Sequence, residues 1–169
     1  AGNTAVGYLA LSGHTTGGYN TGVGYGSMDG TAGAGAATSV HNTALGYNSL
    51  GGDWVDSQTS SYNTAIGSGA LDAALEDCEE NTAVGYNALT ALTGGQSGTN
   101  GELNTALGAN AGDALTTGTK CTIIGATSDA GAVGASNQTV IGYGATGQAD
   151  NSVTLGNASV TDVYMSSAS

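Results

Sequence analysis

The stretch Asn81-Thr82-Ala83-Val84-Gly85-Tyr86-Asn87-Ala88-Leu89 decides the fold, because its first five residues return along the whole chain. The copies are 3–7, 20–24, 42–46, 63–67, 81–85 and 104–108, with looser ones at 121–125, 138–142 and 152–156. Self-similarity at a period of about twenty residues marks a repeat architecture.

The residue before each repeat glycine is Val6, Val23, Leu45, Ile66, Val84, Leu107, Ile124, Ile141 or Leu155. Val, Ile and Leu supply only 26 of the 169 residues, so an aliphatic in all nine places is a structural column. Two residues earlier stands Thr in eight copies and Val153 in the ninth. In an extended chain these two columns share one face, and the small or apolar residue between them points to the other. The pattern predicts a short β-branched strand with the aliphatic column as its buried core. Outward rows of Thr are then not expected, and the second face is left to meet two more copies of the chain.

Successive repeat glycines are 17, 22, 21, 18, 23, 17, 17 and 14 residues apart. Such steps suit one coil of a β-solenoid, in which each strand lies on the preceding one at about 4.8 Å. The expected fold is all-β: a β-solenoid (β-roll or β-helix) of nine coils starting near 3, 20, 42, 63, 81, 104, 121, 138 and 152, with the extra residues bulging outward as loops. It forms one repeat domain over 1–169, with 157–169 a transition toward a further carboxyl-terminal part. Asn at the head of six copies predicts amide ladders. Tyr8, Tyr25, Tyr47, Tyr86 and Tyr143 after the glycine predict stacked rings. The glycine itself serves either a positive-φ turn or the close approach of a neighbouring backbone.

Thirty-one glycines without a period would suggest disorder, but the aliphatic column is periodic. Thirteen acidic groups stand against Lys120 alone, giving a net charge of −12. That excludes nucleic acid and anionic membranes as partners, since both are bound through Lys and Arg. It suits a soluble external rod. No apolar run approaches a membrane span. The chain begins at Ala1 instead of Met, which leaves room for a leader or a longer amino-terminal part.

Few residues offer chemistry. His14 and His41 lie between strands without a nucleophile, paired carboxylates or metal-ligand spacing around them, so no catalytic residue is assigned. The glycines of 22–26 belong to the repeat and not to a dinucleotide fingerprint, which needs a following helix and an acidic partner. Trp54, the only tryptophan, sits in the insertion 51–57 with Asp53 and Asp56. It is either an exposed contact for a receptor or glycan, flanked by a weak cation pair, or a cover folded back on an apolar face. Leu71, Leu75 and Cys78 recur at helical spacing and predict a short helix lying on the rod. Glu76, Asp77, Glu79 and Glu80 would then be a solvated face, with calcium as a weaker reading because the spacing matches no calcium loop. No other cofactor is expected. Cys78 and Cys121 either pair or remain thiols.

The phrases 42–50 and 81–89, of the form Asn-Thr-Ala-aliphatic-Gly-Tyr-x-small-Leu, resemble the repeats of phage tail fibres and of the heads of trimeric bacterial adhesins. The run 152–165 resembles the segment that, in many such fibres, precedes a self-cleaving chaperone domain of the endosialidase type. The resemblance spans nearly the whole chain and implies a parallel homotrimer. The chaperone domain itself is not in this sequence, which implies a mature product or an excised segment. The expected function is a non-enzymatic structural and adhesive segment of an extracellular fibre, on a virion or a cell surface, meeting a host glycan or protein through its loops. The alternatives are a self-assembling extracellular filament and an ice-binding solenoid.

Overall fold

The computed structural model describes residues 2–14, 16–30, 38–52, 54, 59–95 and 101–164. Each repeat forms one strand: β1 (Thr4–Val6), β2 (Thr21–Val23), β3 (Thr43–Leu45), β4 (Thr64–Ile66), β5 (Thr82–Val84), β6 (Thr105–Leu107), β7 (Thr122–Ile124), β8 (Gln138–Ile141) and β9 (Ser152–Leu155). They make one parallel sheet in sequence order, β1 to β9. Thr pairs with Thr and aliphatic with aliphatic at every step as far as β8, and Thr139 pairs with Val153 at the last. The result is a β-solenoid of about eight turns. Eight steps of about 4.8 Å give a sheet about 38 Å long.

The face assignment is the reverse of the one the pattern suggested. The middle residues Ala44, Ala65, Ala83, Ala106, Ile123 and Val140 are fully buried. The column Val6, Val23, Leu45, Ile66, Val84, Leu107, Ile124, Ile141 and Leu155 points outward, exposed except for half-buried Val23, Val84 and Ile124. The reason is volume. A coil this tight leaves room inside its strand only for a small side chain, and the bulk comes from the turns: Met28, Leu50, Leu71, Leu89, Leu92 and Leu115.

A buried amide ladder closes the coils. The backbone N–H groups of Asn20, Asn42, Asn63, Asn81 and Asn104 each donate to the Oδ1 of the preceding ladder residue at 2.8–3.0 Å, from Asn3 upward. Each Nδ2 donates to a carbonyl three residues before the next ladder position: Gly17, Ser39, Ser60, Cys78, Gly101 and Gly118. Buried amides satisfied in this way hold successive coils in register. Cys121 ends the series: its N–H takes Asn104 Oδ1 at 3.0 Å, and its thiol reaches Ala135 O at 3.4 Å.

The repeat glycines do both jobs proposed for them. Gly85 has φ +141°, and a Cβ there would collide with the carbonyl oxygen of Gly108. No helix forms over 71–78: Leu71 and Asp77 are left-handed, at φ 50° and 55°, and Glu76 instead bridges Gly94. Leu71, Leu75 and Cys78 share a direction because all three point into the rod.

Candidate interaction face

The outer face of the sheet is the most regular surface of the rod. Each strand from β1 to β8 presents one Thr and one aliphatic, β9 presents Val153 and Leu155, and the parallel register extends both into files along the axis. Val6 is 56 % exposed, and Leu45, Leu107 and Leu155 are 45–47 % exposed. Apolar side chains scattered singly over a surface need no explanation, whereas these line up in one file along the rod.

Two ring columns flank this face in its amino-terminal half. Tyr8, Tyr25 and Tyr47, just after the glycines, stack with centroids 5.3 and 5.4 Å apart. On the other side, just before the Asn ladder, Tyr19, His41 and Tyr62 stack at 4.9 and 5.3 Å with planes within 8°. Residues in that second column hold φ near +60°, which turns the chain into each strand. Sequence reasoning found the first column and missed the second, although Tyr19, His41 and Tyr62 precede three successive ladder asparagines.

The residues singled out as contacts or ligands do not converge. Trp54 is 1 % exposed, so its indole fills the interior and is no receptor contact. Asp53 and Asp56 lie outside the described residues. Glu76, Asp77 and Glu79 are half-buried and only Glu80 is exposed, so they do not form one solvated face. Burial pushes the Glu79 carboxyl above its usual range, and the neighbouring charges of Asp77, Glu102 and Glu80 add to the rise. Among the described residues no group of three or more His, Cys, Asp or Glu could hold a metal ion.

The histidines have structural surroundings. His14 Nε2 lies 2.8 Å from Asn20 Nδ2 and 3.1 Å from Ser39 O, and burial lowers its pKa. His41 is sandwiched between two phenol rings. Cys78 and Cys121 are both buried free thiols, and burial pushes Cys78 up to about 12.

Compared with known proteins, the chain matches no family profile and no curated sequence.

Proposed function

We propose that this chain is a non-enzymatic structural and adhesive segment of an extracellular fibre, of the phage tail fibre or trimeric adhesin kind, in which three parallel copies meet through the Thr and aliphatic face. The observation that carries the reading is the unbroken outward aliphatic file from Val6 to Leu155. Leaving that file in water forfeits the stabilisation that its burial against other copies would supply. The longer coils, from β2 to β3, β3 to β4 and β5 to β6, carry the insertions that would meet a host glycan or protein.

Light scattering tests it, read against the 16.1 kDa of one chain. A mass three times that value supports the fibre reading, and dissociation on adding a calcium chelator would add a metal to it. Replacing Ile66 and Val84 together by Glu should return the trimer to monomers. An open-ended series of masses would favour the filament, with β1 and β9 as the joining edges.

One observation favours a second reading. Thr4, Thr21, Thr43, Thr64, Thr82, Thr105, Thr122 and Thr139 all stand on the outer face at strand spacing. Regular outward hydroxyls with intervening methyl groups suit an ice surface. A monomer showing thermal hysteresis would replace the fibre reading with this one.

A further inference from the structure

The ring columns differ in one respect that bears on oxidation chemistry. Tyr8, Tyr25 and Tyr47 are consecutive stacked phenols open to solvent, with centroids 5.3 and 5.4 Å apart and planes 27° and 13° from parallel. Among the described residues no other tyrosine stacks on a phenol. Tyr19 and Tyr62 are separated by His41. The neighbours of Tyr86 in its column are Ser68 and Ala109, and those of Tyr143 are Ala126 and Asn157. Tyr164 lies beyond the last strand.

We propose that the Tyr8–Tyr25–Tyr47 column is a site of oxidative cross-linking, in which a peroxidase with hydrogen peroxide joins neighbouring coils through dityrosine. The peroxidase takes one electron and one proton from each of two phenols, leaving two phenoxyl radicals. Their ring carbons ortho to oxygen couple to form one C–C bond. The hydrogen on each coupled carbon then moves to its oxygen and restores the aromatic ring. Each link removes two hydrogen atoms from the protein, and one hydrogen peroxide is reduced to two waters. Stacking brings the ortho carbons of neighbouring rings close before any radical forms, so coupling needs only a tilt of the rings. Collision with a distant tyrosine is not required. The links would fasten β1 to β2 and β2 to β3, on either side of Gly22, which brings no side chain to the buried position of β2. Closing the intervening loops restricts the unfolded chain as a disulfide would.

The test is to treat the purified chain with a haem peroxidase and hydrogen peroxide, then read dityrosine fluorescence and map the linked peptides by mass spectrometry. Links are expected within one chain, between Tyr8 and Tyr25 or Tyr25 and Tyr47, each with the mass of two missing hydrogens. The variant Tyr25→Phe keeps the stacked ring but cannot form a phenoxyl radical, so it should lose both links. Ser68→Tyr places a phenol between Tyr47 and Tyr86 and should create new links to both. Links mainly at Tyr19, Tyr62 or Tyr164, links only between chains, or none at all would each overturn the proposal.

Discussion

The coils that carry β1 to β6 and those that carry β7 to β9 close by different means. From β3 to β5 the strand contributes Ala44, Ala65 and Ala83, while the turn contributes Leu50, Leu71 and Leu89, all fully buried. In β7 and β8 the strand contributes Ile123 and Val140, and the rest of the coil small residues such as Ser128, Ala130, Ala135 and Ala145. The exchange happens at Gly112: a methyl group there would meet Leu89 Cδ2 at 2.9 Å and Ile123 Cδ1 at 3.1 Å. Interior volume is therefore conserved while its source moves from turn to strand. The amide ladder stops at the same boundary, where Asn gives way to Cys121, Gln138 and Ser152. Coils held by an amide ladder and left-handed leucines tolerate long insertions. Coils packed through the strand itself are short and regular.

The largest expected effect disregards the boundary. Gly85→Ala forces a Cβ into the Gly108 carbonyl at φ +141°, and should cost at least about 4 kcal/mol in urea unfolding. Gly144→Ala is its control: φ is +58° and the nearest atoms are 3.8 Å away, so the cost should be about 1–2 kcal/mol. If the two variants melt alike, close approach does not set the glycine column.

Next comes a change that should act only below the boundary. Asn63→Ala strips the acceptor from the Asn81 amide and the donor from the Cys78 carbonyl, all buried. About 2–4 kcal/mol should be lost, and hydrogen exchange should speed up in β3 to β6 more than in β7 to β9. Uniform acceleration would mean that the two regions unfold as one.

Extending the ladder should blur the difference. Cys121→Asn places an amide donor where the thiol now reaches Ala135 O, and an acceptor toward the Gln138 amide, as in every earlier coil. A gain of about 1 kcal/mol is expected; a loss would show that the seventh coil has no room for the amide.

The smallest effect depends on pH. Burial raises the Asp72 carboxyl to about 6, and repulsion from Asp29 contributes. The folded chain therefore holds that proton more tightly than the unfolded one, so stability is full below the usual carboxylate pKa and falls as pH rises through about 6. Asp72→Asn should raise the urea midpoint at pH 8 and leave it unchanged at pH 3.5. An equal shift at both values would show that the ionisation is not responsible.

The repeat itself was plain in the sequence, and with it the strands, their register, the amide ladder and the stacking of Tyr8, Tyr25 and Tyr47, whereas Tyr86 and Tyr143, read into the same stack, have Ser68, Ala109, Ala126 and Asn157 as their column neighbours. Alternation along a strand of three residues shows that two faces exist but not which one is inside. That choice depends on how much volume the turns bring in, and Leu50, Leu71 and Leu89 bring enough to evict the strand aliphatics. Leu71, Leu75 and Cys78 imitate a helix at 71–78 because all three turn inward within one coil at a spacing close to that of a helical turn. Trp54 was legible as an anomaly, and its burial depends on a coil interior that no local pattern describes.

The glycine column also fixes a scale. Because backbone meets backbone at Gly7, Gly24, Gly46, Gly67, Gly85, Gly108 and Gly125, the rise per coil is set by main-chain atoms and is indifferent to the side chains around them. The chain thus behaves as a ruler whose reach is counted in repeats. Duplicating or deleting one phrase of the kind at 81–103 would change its span by one fixed division, whatever the inserted loop contains.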